Sequence, residues 1–146
     1  MPPSAVWLGA LGALPFVALS GSLPWLNEPL QSLATQALLG YGAVILSFLG
    51  GIHWGLAIAT PIPADVLSLR ARLILSVLPS LIAWPALLLG KVAGLWLLAV
   101  GIAAMLGVDL EMTRRGFAPA WYPRLRLPLS GVVCACLVSA ALLVRA

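Results

Sequence analysis

The chain has 146 residues, of which 62% are hydrophobic and 8% charged, with a formal net charge of +4. Soluble domains carry about 25% charged residues, so this composition excludes an ordinary soluble domain and predicts an integral membrane protein. The arginines lie in short loops between apolar stretches rather than on one helix face, which excludes nucleic acid as an expected partner and leaves the lipid bilayer.

The apolar stretches predict an all-α fold, a polytopic bundle of five transmembrane helices in one membrane domain covering residues 1–146. The second stretch exceeds the ~20 residues that a span needs, so it should tilt or extend into the headgroup layer. A proline-containing loop at 60–71 separates the second and third spans. In chain order, the predicted spans cover residues 5–26, 30–59, 72–89, 92–110 and 127–144.

The distribution of basic residues predicts the orientation of the bundle. Six arginines would lie on one side of the membrane, and the other side would hold only Lys91 and Arg145. Cytoplasmic loops carry the excess of Lys and Arg, so we expect a cytoplasmic N-terminus and a periplasmic C-terminus, in a bacterial inner membrane. The six arginines expected on the cytoplasmic side are Arg70, Arg72, Arg114, Arg115, Arg124 and Arg126.

The second span carries small residues that form a stripe along one helix face. Ser47, Gly51 and Gly55 recur every four residues, and Gly50 flanks them. Small residues at this spacing let two helix backbones approach closely. The stripe predicts a helix-packing surface, either for another span of this chain, which is the first expectation, or for another subunit.

The only histidine, His53, lies in the same span on nearly the opposite side from this stripe. The predicted topology brings Arg72, Asp109 and Glu111 to the same side of the membrane as His53. Ionisable groups inside membranes face protein or water and find a partner, so we expect a buried polar cluster. A structural role is the first interpretation, and partner binding or transport of a proton or ligand are the alternatives. No catalytic residue is predicted.

The loop before the fifth span alternates aromatic residues with arginines. Trp121 and Tyr122 suit the boundary between water and lipid, and Arg124 and Arg126 suit lipid phosphates. This segment predicts an interfacial anchor, with docking of another protein as the alternative.

The sequence predicts no metal site and no cofactor, although we expect bound lipid. Haem held by two histidines is disfavoured because the chain has one, and Met105 or Met112 as a second ligand has no further support. Cys134 and Cys136 lie two residues apart in a predicted helix, so they point to nearly opposite sides and do not form a disulfide.

Together these segments resemble the small membrane proteins of domain-of-unknown-function family 3429, also described as transmembrane protein 69-like. The resemblance implies a five-span helical protein of bacterial inner membranes with relatives in mitochondria, and it brings no established reaction or cofactor. The matching segments are Gly12–Phe16, Tyr41–Gly55, Leu78–Trp84, Asp109–Leu110 and Pro119–Leu129.

Two functional hypotheses follow. The first is a non-enzymatic accessory subunit or assembly factor that binds other integral membrane subunits of an energy-transducing, respiratory or photosynthetic complex; this partner class is inferred by analogy. The alternative is a small transporter or proton-coupled channel that uses His53 with Asp109 or Arg72.

Overall fold

The computed structural model describes residues 1–59 and 68–144, so most of the predicted loop at 60–71 and Arg145 lie outside the described residues. Within the described ranges the chain is all helical, and each of five helices is long and apolar enough to cross a membrane. The prediction of a five-span all-α protein is therefore confirmed. The helices are α1 (Pro3–Ser22, extended by a 3-10 turn, Leu23–Trp25), α2 (Leu30–Ala59), α3 (Leu69–Ala86), α4 (Lys91–Arg114) and α5 (Tyr122–Leu143).

The bounds of α2 are those predicted, whereas α3 begins and ends three residues earlier than expected. The cause at its start is Ser68, whose hydroxyl accepts a hydrogen bond from the backbone N–H of Ala71 at 3.2 Å. Such a cap satisfies one of the unpaired donors at a helix N-terminus, so the helix starts there rather than at Arg72.

The fourth and fifth helices are both longer than predicted. The fourth was expected to end at Leu110, but α4 continues to Arg114 because Glu111 pairs with arginines one turn further on, which keeps the polar last turn helical. The fifth was expected to begin at Leu127, but α5 begins at Tyr122, where Pro123 suits the first helical turn.

The five helices form a closed ring in which each packs against its neighbours in the chain and α1 packs against α5. Across the ring, α2 also packs against α4, whereas the backbones of α2 and α5 lie farther apart. The buried core lies between these helices and includes Phe16, Leu46, Leu98 and Leu137. Large apolar side chains that remain exposed, such as Trp7, face outward, as expected for a bundle that is surrounded by lipid.

Two glycines set the local geometry of α3 with its neighbours. A Cβ atom at Gly50 would collide with the backbone oxygen of Ser76, so this glycine lets α2 and α3 approach closely. Gly90 has a φ of 87°, a conformation that favours glycine, and it ends the tight turn before α4. The turn between the third and fourth spans is where the sequence predicted it.

Candidate functional site

Three polar side chains meet near one end of the bundle, each contributed by a different helix. His53 lies six residues before the end of α2, Asp109 five residues before the end of α4, and Arg126 four residues after the start of α5. At 1.5 Å per residue these positions are ~9, ~8 and ~6 Å from the helix ends. The alternating direction of the helices therefore brings them to one depth.

Asp109 joins the other two side chains through both of its carboxylate oxygens. Its Oδ1 lies 2.8 Å from Nε2 of His53, and its Oδ2 lies 2.6 Å from Nε of Arg126. A carboxylate only accepts hydrogen bonds, so His53 donates from Nε2. The side chains are almost fully buried, with 5%, 1% and 8% of His53, Asp109 and Arg126 exposed. We call these three residues the Asp109 cluster.

Arg72 lies beside this cluster, as the sequence predicted, but it makes a different contact. Its guanidinium donates from Nη2 to the backbone oxygen of Leu56 at 2.7 Å, and the side chain is buried. A cavity of about 10 Å³ separates it from His53 and also touches Met112. A space of this size holds about one water molecule. Arg72 thus ties the start of α3 to the last turns of α2.

Glu111 does not join the cluster, contrary to the sequence prediction. Its carboxylate is 45% exposed and accepts from Nε of Arg115 at 2.7 Å, with Arg114 at 3.5 Å. Glu111 follows Asp109 by two residues, which places it ~200° further around the helix. Asp109 therefore faces the bundle interior while Glu111 faces outward.

Arg126 was predicted to anchor the chain at the lipid boundary, and that assignment is wrong. It is buried and paired with Asp109, whereas Arg124 is exposed. Trp121 is half buried and lies edge-on to Tyr122, with 6.0 Å between ring centroids. One signal in the sequence could have found Arg126, since it shares a helix face with Ser130 and Leu137.

The small-residue stripe of α2 divides between two surroundings. Gly50 packs against α3, as described above. Gly51 is exposed, and a Cβ atom at either Gly51 or Gly55 would meet no described atom within 4 Å. The expected contact inside the chain is thus absent at these two glycines within the described residues, and Ser47 is partly buried beside them.

The sequence reasoning also missed a group of polar atoms on α5. The hydroxyl of Ser130 and the Nη2 of Arg126 are buried and have no hydrogen-bond partner among the described residues, and the buried hydroxyl of Tyr122 lies beside the carboxylate of Asp109. The same part of the chain contains no group of three side chains suited to hold a metal ion. What the geometry offers is a buried ion pair with a hydrogen-bonded imidazole, next to unused hydrogen-bond donors.

Comparison with known proteins finds one family and two named relatives that match most of the chain. Residues 1–142 match the family described as "Protein of unknown function (DUF3429)". A protein named transmembrane protein 69 from Xenopus tropicalis is 36% identical over 146 residues, which covers 94% of this chain and 53% of the relative. Its namesake from Mus musculus is 27% identical over 122 residues, covering 77% and 48%. The chain thus spans about half the length of these relatives, and no solved structure matches it.

Proposed function

The chain belongs to the family described as "Protein of unknown function (DUF3429)", and from this premise we propose that it is a non-enzymatic accessory subunit or assembly factor of a larger membrane complex. The chain is an integral membrane protein with five spans. Its proposed task is to bind another integral membrane subunit and stabilise it during or after assembly.

The observation that carries this proposal is the outward-facing part of the small-residue stripe. Gly51 and Gly55 lie one turn apart on α2 with open space beside them. Glycines at this spacing allow close backbone approach of a second transmembrane helix, and such contacts drive helix association in membranes. The glycines that this bundle needs for its own packing, such as Gly50, lie on a different face.

The proposed partner is a subunit of an energy-transducing complex in a bacterial inner membrane. The support is analogy, since the resemblance implies members in bacterial inner membranes and in mitochondria, and respiratory complexes are common to both. The relatives named above come from animals, which is consistent with a mitochondrial branch of the family.

The Asp109 cluster supports a structural role within this proposal. It joins α2, α4 and α5 through buried charge-assisted hydrogen bonds, so it can hold the face of α2 in a fixed position. The alternative of a transporter that uses His53 with Arg72 has less support, because the cavity that touches both side chains has a volume of only about 10 Å³, about that of one water molecule. A proton needs no wider path, so proton coupling is tested by substitution of His53.

The test compares Gly51→Leu with a matched substitution on another helix. Gly131 on α5 is also exposed and also has no described atom near its Cβ position, so Gly131→Leu is the control. Each variant is expressed in a deletion strain, and assembled respiratory complexes are resolved by native gel electrophoresis. We expect the deletion to lower the amount of one complex, which wild type and Gly131→Leu restore and Gly51→Leu does not.

Two outcomes would contradict the proposal. In one, deletion leaves every membrane complex at its normal amount. In the other, Gly51→Leu restores the affected complex as fully as wild type while being present in the membrane at the same level.

A further inference from the structure

A partly open cavity of about 320 Å³ lies between α1, α2 and α5, and two of its lining residues, Leu8 and Phe48, are largely exposed. It occupies the space beside α1 where the backbones of α2 and α5 do not pack closely. Its lining on α1 includes the small residues Gly9, Gly12 and Ala13, and its lining on α2 includes Phe48 and Ile52. The volume is within the range of about 300–1,000 Å³ that small-molecule sites occupy.

The third wall of this cavity, on α5, is where the polar atoms without partners are found. Tyr122, Arg126 and Ser130 follow one another at four-residue intervals, so they share one helix face, and all three line the cavity. Ser130 is 1% exposed and Arg126 is 8% exposed, and neither Oγ nor Nη2 has a hydrogen-bond partner among the described residues. The hydroxyl of Tyr122 is also buried, and it lies beside the carboxylate of Asp109.

Unpaired polar groups in a membrane interior are unfavourable, and a buried one needs an explanation such as a bound molecule. The chemistry of the Arg126 and Ser130 atoms defines what that molecule must offer. Nη2 of Arg126 only donates, and the hydroxyl of Ser130 can donate as well. The missing partner is therefore a molecule with oxygen acceptors and otherwise apolar surface.

The charge balance around Arg126 favours an uncharged acceptor. Its guanidinium already pairs with Asp109 through Nε at 2.6 Å, and the second oxygen of Asp109 accepts from His53. The positive charge of Arg126 is thus compensated within the protein. Nη2 remains as a strong donor, which suits a carbonyl oxygen better than a carboxylate or phosphate that would bring a second, uncompensated negative charge.

The depth of the donors argues against a phospholipid headgroup. With 22 residues, α5 is ~33 Å long, which is enough to span a hydrocarbon core of ~30 Å. Arg126 and Ser130 lie four and eight residues after its start, which is ~6 and ~12 Å from that end along the helix axis. Phospholipid phosphates stay in the headgroup layer. A polar head that accepts a hydrogen bond from Ser130 therefore lies deeper along the helix than a headgroup phosphate does.

We propose that this cavity binds the ring of an isoprenoid quinone. A quinone ring is uncharged, carries two carbonyl oxygens, and enters the hydrocarbon on an apolar tail. Arg126 donates from Nη2 to one carbonyl, and Ser130 donates to the other. The tail follows the apolar side of α1, whose lining residues extend from Ala5 to Phe16 over ~16 Å. The proposal concerns binding only and does not depend on the accessory role.

The experiment titrates the purified full chain, in a detergent free of native lipid, with decylubiquinone, a benzoquinone with a decyl tail. Binding is measured by isothermal titration calorimetry, so no partner protein is needed. We expect saturable binding to one site per chain. Ser130→Ala should weaken it about fivefold, as expected for the loss of one neutral hydrogen bond.

A second variant fills the cavity without disturbing the cluster. A Cβ atom at Gly12 would meet nothing within 4 Å, so Gly12→Leu places a side chain in the open space, and binding should weaken more than about tenfold. The control is Gly21→Leu on the same helix, which also meets no described atom and does not line the cavity. It should bind like wild type.

The proposal is overturned if decylubiquinone does not bind, or if Gly12→Leu and Ser130→Ala bind it as tightly as wild type. It is also overturned if palmitate or dioleoyl phosphatidylglycerol displaces the quinone at equal concentration. That result would make the cavity a site for any acyl chain. Failure of the accessory role would leave these titrations unchanged, so the two proposals are tested separately.

Discussion

Nε of Arg126 lies 2.6 Å from Oδ2 of Asp109, which is 17 residues earlier in the chain, and this buried pair connects α5 to α4 across the loop at residues 115–121. Without Arg126, the carboxylate of Asp109 would be an uncompensated negative charge buried between the helices. Without Asp109, the guanidinium would be the uncompensated charge. The two residues therefore depend on each other, and His53 completes the set through the second carboxylate oxygen.

Replacing Asp109 with Asn should destabilise the bundle. The amide keeps the size of the side chain but removes the counter-charge of Arg126, and breaking a buried ion pair in this way costs about 3–5 kcal/mol. The free energy of unfolding is measured by denaturation with sodium dodecyl sulfate, followed by circular dichroism.

The control for Asp109→Asn is Glu111→Gln on the same helix. Glu111 pairs with arginines at the surface, so its replacement should not measurably change the free energy of unfolding. Equal effects of the two variants would show that the Asp109 cluster does not stabilise the fold.

Neighbouring glycines of α2 should respond in opposite ways to the same substitution. Gly50→Ala forces the new methyl group against the backbone oxygen of Ser76, so α2 and α3 must separate, at a cost of about 1–3 kcal/mol. Gly51→Ala meets no described atom and should be neutral or slightly stabilising, since alanine favours helix by about 1 kcal/mol over glycine. The same denaturation assay compares the two variants, and an unchanged Gly50→Ala protein would contradict the close packing.

The sequence predicted the number of spans and the bounds of α2, because long apolar stretches and the length of a span determine both. It also predicted that His53, Arg72 and Asp109 lie at the same end of the bundle, because that follows from counting spans. It missed Arg126, because the predicted fifth span began at Leu127 and left Arg126 in the preceding loop, whereas α5 begins at Tyr122. Nor could it assign Gly50 and Gly51 to different neighbours, since a stripe pattern does not say which helix covers it.

His53→Gln should separate a structural role of the imidazole from a proton-transfer role. The amide nitrogen of Gln can donate to Asp109 from about the position of Nε2. We therefore expect the free energy of unfolding to fall by less than about 1 kcal/mol, which is no more than the contribution of one hydrogen bond. Gln does not take up a proton, so any function that needs a titrating group would be lost.

For the accessory role, His53→Gln should support assembly of the affected complex as well as wild type does, as judged by native gel electrophoresis in the deletion strain. If the variant is present at the normal level but assembly or growth fails, the transporter alternative is favoured. His53→Phe is a useful companion, since it removes the donor to Asp109 altogether and should lower stability by about 1–3 kcal/mol.

The orientation of the bundle is the last prediction, and it rests on charge alone. Six arginines, including Arg70 and Arg114, fall on the predicted cytoplasmic side, and the opposite side has only Lys91 and Arg145. Moving several positive charges across a membrane during insertion is unfavourable, so this bias sets the topology. A reporter that is active only outside the cytoplasm should therefore work when fused after Ala146 and fail when fused after Arg115.

The same orientation places the Asp109 cluster near the cytoplasmic surface, because α2 and α4 both end on that side. If the fusion after Ala146 is inactive and the one after Arg115 is active, the bundle is inverted and the cluster faces the periplasm.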